Sequence, residues 1–306
     1  MVKTNHNAYA DLVHQFDLLV DEPLKKYTAF KVGGPADFLA LPRDQHALKQ
    51  LLKAASDLDM AVTIFGGGTN LLVTDKGIRG LVVVMQHLKS EIHITDAGPG
   101  RKTIYAETGE RLSKVCRFAI RHSLTGLEFA AGIPGTIGGA IIMNAGIPSG
   151  EMSDIVQSID VLNPQTQTVK TIEKKDLAFS YRHLNLPGII VAARLNLMEA
   201  AAEEIETTFK QNLNQKKSTQ PIAAASAGCF FKNPGQGMSA GELIERSGLK
   251  GLKMNDAMVS PIHANYIVNT CHATCEDILL LKQKIQETVF KKYQINLETE
   301  VRIKGE

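Results

Sequence analysis

Residues 226–234 read Ser-Ala-Gly-Cys-Phe-Phe-Lys-Asn-Pro and set a thiol, an ammonium and an amide along one short stretch. Cys229 can give or take a proton, Lys232 can hold an anion, and Asn233 can hydrogen-bond a ligand. Small residues before Cys229 and Pro234 after it predict a strand that leaves as a turn, with its polar groups exposed at the end. In isolation the same stretch reads as a buried strand whose cysteine and two phenylalanines pack in a core.

Two glycine runs suit phosphate, because a backbone without Cβ atoms can turn several N–H groups toward one anion. The first, Gly66-Gly67-Gly68-Thr69-Asn70-Leu71, follows a predicted strand over 62–65. It lacks the third glycine of a dinucleotide-binding fingerprint, runs on into an apolar extended segment instead of a helix, and has no Gly-Lys-Ser/Thr end of a P-loop. What remains is either a nest for a diphosphate, with Thr69 and Asn70 as side-chain donors, or a tight structural turn. The second run, Ala131-Gly132-Ile133-Pro134-Gly135-Thr136-Ile137-Gly138-Gly139-Ala140 followed by Asn144-Ala145-Gly146, repeats the same chemistry in a lobe large enough to fold over a dinucleotide. Cys271, His272 and Cys275 offer three soft ligands, but no second ligand pair accompanies them; they read as packing residues, with no metal.

The elements that must position these groups alternate between helix and strand. Leu48, Leu51, Leu52, Ala55 and Leu58 repeat at helical spacing over 44–60 and feed the strand 62–65. Leu112, Val115, Cys116, Ala119 and Ile120 give a second helix over 111–122, preceded by extended segments at 91–95 and 103–107 and followed by strands at 155–162, 168–172 and 189–197. A helix over 200–216 leads into a polar, proline-containing joint at 217–225. Beyond it come the Cys229 strand, a short helix over 239–246, a strand at 266–269, a long helix over 275–293 and a final strand over 297–303.

A chain of 306 residues predicts two lobes, one over 1–210 with subdomains near 1–80 and 81–210, the other over 211–306. A hydrophobic content of 44%, a charged content of 22% and a net charge of +2 describe an ordinary globular protein and call for no nucleic acid or other polyanionic partner. No apolar window approaches the ~20 residues that span a bilayer, so no membrane insertion is expected. Four sparse cysteines suit a reducing compartment, and the chain reads as cytoplasmic.

Several tracts then lie in the order and spacing of one family: Gly33-Gly34-Pro35-Ala36-Asp37, residues 66–73, residues 131–146, Phe179-Ser180-Tyr181-Arg182, residues 227–234, His263-Ala264-Asn265-Tyr266-Ile267-Val268-Asn269 and Glu298-Thr299-Glu300-Val301-Arg302. From about residue 24 to 303 the chain resembles the UDP-N-acetylenolpyruvoylglucosamine reductases, in their shorter second subclass. The resemblance implies an α+β, two-lobed flavoprotein of the vanillyl-alcohol-oxidase/PCMH-type FAD-binding fold, with a C-terminal α+β substrate-binding domain whose last strand, over 297–304, carries Glu300. It implies FAD held by Gly66, Gly67, Gly68, Thr69, Asn70 and Leu71 and by Gly132, Ile133, Pro134, Gly135, Thr136, Gly138, Gly139 and Ala140. NADPH is the implied co-substrate, and the reaction reduces the enolpyruvyl ether of a UDP-sugar to UDP-N-acetylmuramate for peptidoglycan synthesis.

By the same resemblance, Arg182 and Glu300 sit at the substrate carboxylate, and Cys229 takes the place of the serine that gives a proton to the carbanion. Two ionised carboxylates would repel, so that placement is physically sound if Glu300 is protonated or shares a proton. A thiol is a stronger acid than an alcohol, so the exchange keeps the reaction type. Without the family pattern, Arg182 is a surface ion-pair residue and Glu300 a solvated strand-edge carboxylate. The long insertion that closes a tyrosine over the nucleotide in another branch is missing between Arg182 and Gly228, which leaves Lys232, Asn233, Arg246 and Lys250 as candidate contacts to the uridine diphosphate; Tyr181 reads either as packing by the flavin or substrate or as a structural tyrosine. His263 and Asn265 read either as ligand contacts or as a capped turn. A monomer is expected. The competing readings are a flavin oxidase of the same superfamily, disfavoured because the loop 65–73 has no histidine, and a non-catalytic flavin or nucleotide module.

Overall fold

The computed structural model describes residues 3–235 and 237–306 of the chain. It falls into two compact units: the first comprises Met1–Val20, Phe38–Gly67 and Gly80–Gln215, and the second comprises Asp21–Asp37, Gly68–Arg79 and Lys216–Glu306. Residues 21–37 and 68–79 thus group with the C-terminal part of the chain and not with the residues on either side of them.

In the first unit the helix Gln45–Asp57 begins where the Asp44 carboxylate accepts the Ala47 N–H at 2.8 Å. Its apolar stripe, Leu48, Leu51, Leu52 and Ala55, is buried. The strand Val62–Phe65 runs parallel to Leu81–Val84, from Val62 opposite Leu81 to Phe65 opposite Val84. A six-stranded antiparallel sheet is ordered Val169–Glu173, Val156–Leu162, Ile189–Glu199, Arg101–Glu107, His93–Asp96, with Leu124–Thr125 also paired to Ile189–Glu199. The helices Leu112–Arg121 and Ile137–Ile142 contribute Leu112, Val115, Ile137 and Ile141 to the core that covers this sheet.

In the second unit the strand Leu71–Val73 pairs in parallel with Arg302–Lys304, and Lys253–Met254, Ala257–Val259 and Ile267–Asn269 form a three-stranded antiparallel sheet. The helix Cys275–Tyr293 has a capping box between Thr274 and Asp277, and the Asp75 carboxylate accepts the N–H groups of Cys275 and Glu276 at 2.8 and 3.0 Å. Phe30, Phe230 and Phe231 are fully buried in this core, each contributing about 1.5–3 kcal/mol of burial.

Two expected strands are shorter than the sequence suggests. Around Cys229 the chain makes only single bridges, Ala225 to Asn269 and Phe231 to Thr299, and the final strand is Arg302–Lys304, so Glu300 lies before the ladder. Side-chain amides take over the hydrogen bonds a ladder would supply. The expected joint at 217–225 is partly helical, since the helix Ala202–Thr219 runs into it. A helix over Lys3–Gln15, absent from the sequence reading, opens the described chain. Among the described residues no helix is long and apolar enough to cross a membrane.

Candidate active site

The two glycine runs meet within the first unit. Gly67 follows the strand Val62–Phe65, and a Cβ added to it would stand 2.8 Å from the Gly135 Cα, closer than side chains tolerate. Gly138 is equally constrained, because its Cβ would fall 1.8 Å from the Thr108 hydroxyl oxygen. Thr136 caps the helix Ile137–Ile142 by accepting the Gly139 N–H, and the Gly135 carbonyl accepts the Leu112 N–H at 3.1 Å. Gly67 and Gly138 therefore expose backbone where a side chain would collide, and such backbone suits the diphosphate of a dinucleotide.

Gly68, Thr69, Asn70 and Leu71 belong to the second unit. There the Asn70 amide, expected to face the diphosphate, donates to the Glu300 carbonyl at 3.1 Å.

Arg182 occupies the turn of a hairpin between Ala178–Ser180 and His183–Asn185 in the first unit. Its backbone is left-handed, with φ of 56°, a conformation that costs a non-glycine residue about 1–2 kcal/mol. The guanidinium offsets this by donating to the Gly146 carbonyl at 2.9 Å and the Asn144 carbonyl at 3.4 Å, and it lies 5.1 Å from the centre of the Tyr181 ring. Asn144 is 1% exposed; its amide donates to the Ser180 carbonyl at 3.2 Å and to Glu151 at 2.8 Å. The end of the second glycine run thus fixes the hairpin that carries Arg182. Tyr181 and Arg182 border a hollow of about 490 Å³ that Glu151 and Asp154 also line.

Cys229 and Glu300 are placed together in the second unit by two flanking segments. The Phe230 N–H donates to the Asn265 carbonyl at 2.7 Å and the Glu300 N–H donates to the Phe230 carbonyl at 2.9 Å. The Asn265 side chain closes both sides of Phe231, accepting its N–H at 2.9 Å and donating to its carbonyl at 2.8 Å. Two buried phenylalanines anchor the stretch and leave Cys229 half-buried beside them.

Tyr266, one residue beyond Asn265, hydrogen-bonds the Cys229 thiol and donates to the Gln220 side-chain oxygen at 2.8 Å. Burial, then the nearby Cys229 and Glu300, push its phenol well above the usual 10. His263 is held below its ordinary 6.5 by burial and then by the Lys250 charge, which keeps it neutral at pH 7, and its Nδ1 accepts the Asn265 N–H at 3.2 Å.

The expected substrate contacts divide. Lys232 stands 3.6 Å from the Glu298 carboxylate, and Asn233 turns its side-chain oxygen to the Ala240 N–H at 3.0 Å, holding the start of the helix Ala240–Arg246. Arg246 pairs with Glu242 at 2.8 Å and Lys250 with Glu245 at 2.7 Å. From sequence alone Asn265 is ambiguous, and Asn144, Gln220 and Tyr266 do not stand out as functional residues. An asparagine closing a glycine run was the available signal for the first of these; nothing in the spacing links Gln220 to Tyr266.

Residues 36–172 match an FAD binding domain, and residues 220–304 match the C-terminal domain of UDP-N-acetylenolpyruvoylglucosamine reductase. The chain is therefore a flavoprotein oxidoreductase with a family-specific C-terminal part. It is 40% identical to the UDP-N-acetylenolpyruvoylglucosamine reductase of Agathobacter rectalis over 100% of both chains. It is 41% identical to that of Syntrophus aciditrophicus over 94% of this chain and 92% of the relative. The crystal structure of the UDP-N-acetylenolpyruvylglucosamine reductase from Thermus caldophilus superposes with a TM-score of 0.79 at 34% identity, covering 94% of this chain and 98% of that one. The chain belongs to the UDP-N-acetylenolpyruvoylglucosamine reductase family.

Proposed function

We propose that the chain reduces the enolpyruvyl ether of UDP-N-acetylglucosamine enolpyruvate to UDP-N-acetylmuramate, using NADPH, in peptidoglycan synthesis. FAD, when bound, takes up the hydride of NADPH and supplies it to the terminal vinyl carbon. The residues of the chain do the rest. Gly66, Gly67 and the run from Gly132 to Ala140 hold the diphosphate, with Gly67 and Gly138 at places where a side chain would collide; Gly68, Thr69, Asn70 and Leu71 continue the first loop.

Hydride addition leaves negative charge on the adjacent carbon and its carboxylate. Arg182, already oriented by two backbone carbonyls, offers a fixed fork to that carboxylate. Cys229 gives its thiol proton to the carbon, forming a C–H bond as the S–H bond breaks, and solvent restores the proton. Glu300 acts beside it on the substrate carboxylate. Tyr181 and Lys232 contribute to substrate binding, and Asn233 fixes the turn that carries Lys232.

The observation that carries this reading is the backbone bond from the Glu300 N–H to the carbonyl of Phe230, next to Cys229, in a chain that matches a reductase of this family over 100% of both sequences. The purified protein should be yellow and oxidise NADPH only when the enolpyruvyl sugar nucleotide is present. Rapid oxygen consumption with NADPH alone, or the absence of bound flavin, would sink the reading. Rapid-mixing experiments on Cys229→Ala isolate the proton: flavin reduction by NADPH should stay intact while the substrate half-reaction slows at least about a hundredfold.

A further inference from the structure

The segment that carries Cys229 is held by a backbone segment on one side and by one residue, Asn265, on the other. On the first side the Glu300 N–H donates to the Phe230 carbonyl at 2.9 Å and the Lys232 N–H donates to the Glu298 carbonyl at 2.8 Å. On the second, the Asn265 carbonyl accepts the Phe230 N–H at 2.7 Å, and its side-chain amide accepts the Phe231 N–H at 2.9 Å and donates to the Phe231 carbonyl at 2.8 Å. A backbone N–H only donates and a carbonyl only accepts, so the amide has a single orientation. We propose that Asn265 is a positioning residue for the proton donor: by gripping Phe231 it closes a backbone bulge and sets Cys229 at a fixed place beside the Glu300 segment. This rests on the reading of Cys229 as the proton donor.

The bulge follows from the two points where the facing segments meet. Ala225 bridges Asn269 in antiparallel fashion, and Phe231 is gripped by Asn265. Phe231 lies six residues beyond Ala225, whereas Asn269 lies only four beyond Asn265. Two residues are therefore extra on the Cys229 side, and a regular ladder cannot absorb them. Gly228 takes the turn, with φ of 80° and open space where a Cβ would stand. A continuous ladder would place a facing residue opposite Cys229. The clamp instead takes hold at Phe230, one residue past the thiol.

Asn265 is itself held firmly. It is 3% exposed, and its N–H donates to the His263 Nδ1 at 3.2 Å, which leaves the proton of the neutral ring on Nε2. The buried Ser260 hydroxyl accepts the N–H groups of Ile262 and His263 at 3.1 and 3.4 Å, and the Tyr266 N–H donates to the His263 carbonyl at 3.0 Å. The helix Ala240–Arg246 reaches the imidazole at a glycine: a Cβ on Gly241 would stand 3.2 Å from the His263 Cε1. His263-Ala264-Asn265 is thus a capped turn that presents one amide to Phe231.

Two substitutions grade the clamp. Asn265→Asp keeps an acceptor for the Phe231 N–H and turns a second carboxylate oxygen against the Phe231 carbonyl. Asn265→Ala leaves both groups of a residue that is 1% exposed without their partner. Rapid mixing of the FAD-loaded, full-length protein should show oxidation of the reduced flavin by the enolpyruvyl sugar nucleotide slowed about tenfold in Asn265→Asp and about a hundredfold in Asn265→Ala. Flavin reduction by NADPH and the sugar-nucleotide concentration at half-saturation should stay as in the native protein. Should Asn265→Ala fail to fold, Asn265→Asp alone carries the test.

The Cys229→Ala background separates positioning from a general structural role. There the donor is already gone, so adding Asn265→Asp should slow the substrate half-reaction no further. Hydrogen exchange read by mass spectrometry should quicken in the peptide covering 226–234 of Asn265→Asp and stay unchanged in the glycine runs of the first unit. Equal slowing of both half-reactions, the same slowing with and without Cys229, or native rates in Asn265→Asp overturns the proposal. If instead Cys229→Ala keeps its substrate half-reaction, the donor reading fails, and the exchange of residues 226–234 still decides whether Asn265 fixes the segment.

Discussion

The Asn70 amide donates to the Glu300 carbonyl at 3.1 Å, and the Asn70 carbonyl accepts the Arg302 N–H at 3.0 Å, so one residue of the first glycine loop holds the segment that carries the candidate carboxylate. Asn70→Ala keeps the second bond and removes the first. A lost hydrogen bond of this kind costs about 1 kcal/mol, and the substrate half-reaction should slow about fivefold as Glu300 loses its register. Stopped-flow traces for both half-reactions check this; an equal slowing of flavin reduction would show that Asn70 acts at the cofactor instead.

Arg182→Lys should be far from conservative. An ammonium cannot donate to the carbonyls of Gly146 and Asn144 and still present a planar fork to a carboxylate. A drop of about a hundredfold in kcat/KM for the sugar nucleotide is expected, with the KM for NADPH unchanged. Steady-state kinetics with each substrate varied in turn distinguishes this from a general loss of fold.

Gly67→Ala places a Cβ 2.8 Å from the Gly135 Cα, where the facing atom is backbone and cannot swing aside. The loop must shift at a cost of about 1–3 kcal/mol. The purified variant should lose most of its flavin absorbance and regain it only with excess FAD. Full retention of FAD would mean that the two runs do not form its diphosphate floor.

Burial pushes the thiols of Cys116 and Cys275 up to about 12 from an ordinary 9.0. The folded protein keeps both protons where the unfolded chain releases them, so the stability they contribute is complete below pH 9 and declines as the pH rises toward 12. Urea midpoints measured from pH 7 to 10.5 should fall over the upper half of that range. Cys116→Ala should flatten the fall even though it lowers the starting stability.

Much of this was legible where one periodicity governed the segment. The helices Gln45–Asp57 and Leu112–Arg121 lie where the apolar spacing predicts them, because each buries one stripe: Leu48, Leu51, Leu52 and Ala55 in the first, Leu112, Val115, Cys116 and Ala119 in the second. The segment around Cys229 was not legible in that way. It has the composition of a strand, but the Asn265 side chain and isolated bridges hold it instead of a ladder, and a side-chain amide that stands in for a neighbouring strand leaves no period to read. The partnership of Tyr266 with Gln220 was hidden for a related reason: 46 residues separate them, and Gln220 falls in what reads as a polar joint. The glycine runs gave the right chemistry without showing that Gly67 and Gly135 press against each other.

The division of the chain has a consequence for its synthesis. The C-terminal unit draws Phe30, Val32 and Leu72 into the same core as Phe230, Ile278 and Val301. A ribosome working at about 5–20 residues per second therefore exposes those first apolar side chains tens of seconds before the residues that cover them exist. This unit cannot fold as it emerges. It must wait until Val301 has been made, and substitutions that make residues 21–37 or 68–79 more apolar should lower the yield of soluble protein in cells before they alter the finished enzyme.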